Sequence, residues 1–99
     1  MSAVEMKRKE RAFVLIETDP GKEKDVMEEL LKFDEVKEAH IYSGEMDIIA
    51  VLEIEREIIV PGSKKISDFV IDKIQHIKGV QDTETLIPTY SKTKWLDAA

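Results

Sequence analysis

The chain of 99 residues has no cysteine, four glycines, three prolines and only 6% aromatic residues. Without cysteine there is no disulfide, no iron–sulfur cluster and no thiolate zinc site. No apolar segment approaches the roughly 20 residues that a membrane-spanning helix needs. The N-terminus, MSAVEMKRKER, lacks the apolar core of a secretory signal. The natural reading is an intracellular, cytoplasmic protein. Glycines are too few and too scattered for a phosphate-cradling loop or a nucleophile elbow. The six aromatics, Phe13, Phe33, Phe69, Tyr42, Tyr90 and Trp95, do not form the paired strand platform of an RNA-reading sheet. Trp95, in a polar C-terminal tail, is expected to pack on the body or on a neighbouring subunit.

Charge is plentiful and uneven. Charged residues make up 36% of the chain, with a net charge of −6. Residues 1–11 hold four basic and two acidic side chains, and the remaining residues hold 11 basic and 19 acidic. A body that acidic repels a phosphate backbone, because nucleic-acid affinity rests on Lys and Arg neutralising phosphates. The expected organisation is a flexible basic tail (1–11), one domain (12–91) and a C-terminal tail (92–99). A length near 100 residues fits a single domain with one modest core.

Hydrophobic pattern divides the body into two similar halves. AFVLIET (12–18) is a continuous apolar run, as a central strand would be. Asp19 is placed to cap a helix and Pro20 suits its first position. Val26, Met27, Leu30, Leu31 and Phe33 then recur at helical spacing, and VKEAHIYS (36–43) reads as a strand. In the second half, DIIAVLEIE (47–55) is a strand apolar on both faces. Pro61 and Gly62 break it, and Ser63 is a candidate cap. Ile66, Phe69, Val70, Ile74 and Ile77 mark one helix face, and Gly79 stands where a left-handed residue ends a helix. VQDTETLIPTY (80–90) is the last strand, with Pro88 at an edge or end.

The order β-α-β-β-α-β, with right-handed crossovers, gives an α+β, ferredoxin-like fold: a four-stranded antiparallel sheet with both helices on one face. The strands opening each half should be central. Helices cover only one face of them, so the other exposes Val, Ile and Leu, and an apolar patch of that kind marks an interface. A second copy's sheet, packed at about 10 Å, would cover it.

His40 and His76 fall on different elements with no third ligand at metal spacing, so no metal or cofactor is expected. The one carboxylate whose position asks for a role is Asp47. It follows the turn at Gly44 and abuts the most apolar strand. Thr83 and Thr85 share a face of the last strand, which is expected to run opposite. A carboxylate can take an ammonium group, while backbone N–H and threonine hydroxyls can take a carboxylate; together they are an inventory for an α-amino acid. Micromolar to millimolar sensing requires only about 4–8 kcal/mol, and hydrogen bonds to charged groups contribute roughly 1.5–3 kcal/mol each. Turn capping and cross-strand threonine pairing account for the same residues without any ligand.

AFVLIET, PGKEKDVMEELLKFDEV, SGEMDIIAVLE and FVIDKIQHIKGVQDTETLI together resemble the C-terminal effector-sensing module of the Lrp/AsnC transcription regulators, the RAM domain, over about residues 11–91. The specific parts are the Gly-acid-x-Asp turn (Gly44, Glu45, Met46, Asp47) and the Gly-Val-x-x-Thr-x-Thr approach to the last strand. The resemblance implies a homodimer joined through its sheets, often a ring of four dimers (an octamer), with amino acids bound between dimers by the residues matching Gly44, Glu45, Met46, Asp47, Thr83 and Thr85. The sequence departs from the pattern in three places. Met46 stands where the family has an aromatic, the connection from Glu53 to Ser63 is longer, and the family's helix-turn-helix is not found in the eleven residues before the domain. The expectation is therefore a stand-alone RAM-type protein, not an enzyme, that binds an amino acid or similar effector and contacts no nucleic acid or membrane directly. It would modulate transcription through ligand-linked assembly, with DNA-binding relatives as candidate partners. The alternatives are a ligand-free oligomerisation partner of such relatives and a small dimeric ferredoxin-like enzyme using His40.

Overall fold

The computed structural model describes residues 8–43, 47–56, 62–92 and 94. Four strands, β1 (Arg8–Thr18), β2 (Val36–Ile41), β3 (Ile48–Arg56) and β4 (Val80–Leu86), form one antiparallel sheet in the order β2-β3-β1-β4. Helix α1 (Glu23–Leu30) joins β1 to β2. Helix α2 (Gly62–Asp72) and a single 3-10 turn (Ile74–His76) precede β4. The ferredoxin-like order and the two central strands are as the sequence predicts.

Alternation on β1 and β3 decides where the core sits. Ala12, Val14 and Ile16 of β1, and Ile48, Ala50, Leu52 and Ile54 of β3, pack with Val26 and Leu30 of α1, Ile66 and Val70 of α2, and Ile74. Both helices therefore cover the same sheet face. Phe33 and Phe69 close the space between them in an edge-to-face contact, ring centroids 5.4 Å apart, a geometry aromatic quadrupoles favour.

Several boundaries differ from the sequence reading. Strand β1 begins at Arg8, so residues 8–11 belong to the sheet and not to a tail. Lys9, Glu10 and Arg11 pair in register with Glu55, Ile54 and Glu53, and opposite charges directly across a ladder favour extending it. Asp19 does not cap α1. Its carbonyl accepts from the Lys22 amide at 3.0 Å, with Gly21 at φ +81°, so Asp19-Pro20-Gly21-Lys22 is a reverse turn with proline and glycine in the places such a turn requires. Helix α1 starts after it, with Lys22 flanking and no side-chain cap. It stops at Leu30, which leaves Leu31 outside the helix and exposed. Strands β2 and β4 end at Ile41 and Leu86, short of 43 and 90. Helix α2 begins at Gly62, so Ser63 is helical and does not flank it. The Ser63 side chain, residues 57–61 of the connection and Trp95 lie outside the described residues.

Gly79 is left-handed as expected, at φ +102°. A Cβ there would meet Val26 Cγ2 at 3.1 Å and Lys22 Cβ at 3.2 Å. Two penalties coincide, a backbone conformation that side chains disfavour and a crowded approach to α1. Gly79→Ala is expected to destabilise the domain by about 1–3 kcal/mol, measured by urea unfolding; an unchanged midpoint would refute this account.

Candidate functional site

At one end of the sheet the β2–β3 hairpin closes beside the end of β1, and Asp47 is the crosspiece. Its amide donates to the Ile16 carbonyl at 3.0 Å, and its carbonyl accepts from the Tyr42 amide at 3.2 Å. Its carboxylate Oδ2 accepts from the Thr18 amide at 3.0 Å and from Thr18 Oγ1 at 3.3 Å. The cause is local to β1. The Ile16 carbonyl faces the hairpin side, the Thr18 amide two residues on faces the same way by strand alternation, and it takes the carboxylate as its acceptor. A buried backbone donor needs some such partner, and Thr18 is only 5% exposed. Hydrogen bonds to a charged acceptor contribute roughly 1.5–3 kcal/mol.

Thr83 and Thr85 do not lie opposite Asp47. Strand β4 pairs with β1, where Thr83 faces Ile16 and Thr85 faces Val14. Ile16 in turn faces Ile48 on β3. With β1 between them, Asp47 and Thr83 sit about two strand spacings apart, roughly 10 Å. Thr83 Oγ1 accepts from Gln75 Nε2 at 2.9 Å, and the Thr83 amide donates to Asp82 Oδ1 at 2.9 Å. Gly44, Glu45 and Met46 lie outside the described residues. His40 is exposed, its Nε2 2.9 Å from Glu38 Oε1. Among the described residues no group of three or more His, Cys, Asp or Glu is arranged to hold a metal.

The second feature is the sheet face turned away from the helices. By alternation it carries Phe13 and Leu15 of β1 against Val51 and Ile49 of β3. Val51 is 8% exposed although it is not part of the helix-side core. Charged residues border this strip: Lys9, Arg11 and Glu17 on β1, Glu53 on β3, Asp82 and Glu84 on β4. Lys9 Nζ lies 3.7 Å from Glu53 Oε1.

A third feature went unread in the sequence. An open hollow of about 610 Å³ lies beside α1 and the 3-10 turn, with Phe33 and Ile77 among its lining and Lys22, Asp25, Asp72 and His76 around them. None of Asp47, Thr83 or Thr85 lines it.

Residues 11–93 match the family model described as the Lrp/AsnC ligand binding domain. The chain belongs to this family. A relative, an HTH-type transcriptional regulator of Pyrococcus horikoshii, is 36% identical over 84 residues, covering 85% of this chain and 49% of that protein. Another, from Pyrococcus furiosus, is 35% identical over 79 residues, 77% of this chain and 49% of the relative. The chain thus spans about half the length of the curated relatives it matches. Among solved structures, FFRP-DM1 is 38% identical with a TM-score of 0.65, covering 80% of this chain and 97% of that one. AsnC of E. coli shares the Lrp/AsnC fold with a TM-score of 0.77 at 23% identity, over 96% of this chain and 60% of AsnC.

Thr18 is the residue of the Asp47 arrangement that sequence reasoning missed. The available signal was modest: a threonine ending an apolar strand just before Asp-Pro-Gly, one residue past the last core position. The carboxylate that its amide meets belongs to a residue 29 positions away and leaves no mark in the residue types around Thr18.

Proposed function

We propose that the chain is the effector-binding and assembly module of a transcription regulator of Lrp/AsnC type, a RAM-type domain that works in the cytoplasm and not as an enzyme. The observation that carries this reading is the match of residues 11–93 to the family's ligand-binding domain. The effector is an amino acid or a molecule of similar size and charge. It is bound around Gly44, Glu45, Met46 and Asp47 with Thr83 and Thr85. With about 10 Å between Asp47 and Thr83 of one chain, a small ligand reaches both kinds of group when different copies contribute them, which ties binding to assembly. Copies meet through the apolar strip of Phe13, Leu15, Ile49 and Val51, as a dimer and in rings of dimers. A ligand held between copies stabilises the assembly it prefers, by an amount set by its differential affinity. Mixed assemblies with DNA-binding relatives would carry the signal to a promoter. A regulator of Neisseria meningitidis with this fold, at 21% identity and a TM-score of 0.64, was solved in complex with L-Met, which supports a small amino acid as the class to test first.

Thermal unfolding against each of the twenty amino acids tests the reading. A ligand at one hundred times its Kd adds about 2.7 kcal/mol, expected to raise the melting temperature of a domain this size by about 10–20 °C. Twenty flat responses would overturn effector binding by amino acids. They would favour the second reading, a ligand-free assembly partner, for which one observation already speaks: the Asp47 carboxylate is engaged within the chain by Thr18.

A further inference from the structure

The end of β1 is fastened on both sides. On the hairpin side, Thr18 gives its amide and hydroxyl to Asp47 Oδ2. On the other side, the next residue is tied to the start of β4: the Asp19 amide donates to the Gly79 carbonyl at 2.8 Å, and Gln81 Nε2 donates to Asp19 Oδ1 at 2.6 Å. The 3-10 turn joins the same strand through Gln75 and Thr83 at 2.9 Å.

The two fastenings fall on consecutive residues. Thr18 is buried and sits at the register shift of the β1–β4 ladder. Asp19 follows it directly, so one planar peptide unit separates the group that holds Asp47 from the group that holds the start of β4. A displacement of the hairpin at Asp47 would pass through Thr18 to Asp19 and the opening residues of β4.

We propose that Thr18 is a positioning residue that couples the β2–β3 hairpin to β4, so that the two elements carrying Asp47 and Thr83 are held in fixed relation through the end of β1. The consequence for ligand affinity rests on the effector reading above; the coupling itself does not.

The test has two arms, both on the full chain. The first is a double-mutant cycle of Asp47→Ala with Gln81→Ala, read by urea unfolding. The two residues hold opposite sides of the Thr18–Asp19 segment. Uncoupled sites change the folding constant multiplicatively within about twofold. The expected result is a combined loss at least threefold smaller than the product of the single losses, because releasing one side already frees the segment. Multiplication within twofold overturns the proposal. Should Asp47→Ala fail to fold, Thr18→Val, which removes the hydroxyl's bond to Asp47, takes its place in the cycle.

The second arm is calorimetric titration with each of the twenty amino acids. For any that binds, Thr18→Val is expected to weaken affinity at least fivefold and Thr18→Ser to restore it, with the mass by light scattering unchanged in both. Wild-type affinity in Thr18→Val overturns the positioning role. If the unsubstituted chain binds none of them, the effector reading falls and the cycle alone decides the coupling.

Discussion

Ile16→Ala is expected to lower the unfolding free energy by about 3–5 kcal/mol, the upper part of the range for truncating a buried branched side chain. Ile16 is fully buried on the helix face of β1, with Ile48 on one side and Thr83 on the other. The loss combines the transfer of the missing carbons with a cavity at the middle of the sheet. Two neighbouring strands frame that cavity, so the surroundings cannot collapse into it readily. The Ile16 carbonyl also accepts the Asp47 amide, and a backbone shift into the void would lengthen that bond. Since domains of this kind are stable by only about 5–15 kcal/mol, a substantial part of the total is at stake. Ile71, on α2 and 51% exposed, is the control: Ile71→Ala should change stability by less than about 0.5 kcal/mol. Urea unfolding reads both. A loss below 1 kcal/mol at Ile16 would mean that the core is not organised around β1.

Leu15→Glu, one residue away, is expected to leave the folded chain intact and to separate its copies. Leu15 lies on the opposite face, between Ile49 and Glu84. A carboxylate there is solvated in a lone chain but desolvated against a second sheet, beside the existing Glu84. Central interface residues contribute about 2–4 kcal/mol when disrupted, which weakens the dimer roughly 30- to 700-fold. Light scattering across a dilution series would show the single-chain mass where the unsubstituted protein shows at least twice that. An unchanged mass would remove this face from the assembly. The pair Ile16 and Leu15 thus separates folding from association at adjacent positions of one strand.

That separation also explains what could be read in advance. Period-two alternation places Ile16 and Leu15 on opposite faces from residue order alone, and helical spacing picked out Val26, Leu30, Ile66, Val70 and Ile74, all of them in the core. Gly79 was legible because a left-handed backbone leaves few choices of residue. The turn at Asp19 was not, because aspartate before Pro-Gly serves a helix cap and a reverse turn equally well. Only the position of α1, starting at Glu23, distinguishes them. The first residues of β1 were hidden because Arg8–Arg11 carry no apolar pattern; their pairing depends on a strand some forty residues away. Asp47 was singled out because a carboxylate stands against a buried strand, and the structure gives that carboxylate partners in Thr18. Its partner was misjudged because strand order, with β1 between β3 and β4, cannot be inferred from local periodicity, and neither can the shift of register at Thr18.

The two outer strands carry a last consequence. The outermost positions of the sheet belong to β2, with Lys37, Glu38 and His40, and to β4, with Gln81, Asp82 and Glu84. Polar and ionised side chains along a sheet border make lateral zippering into ribbons unfavourable. At high concentration, chains built this way are protected from growing sideways into fibres, even with an apolar strip displayed on the broad side of the sheet.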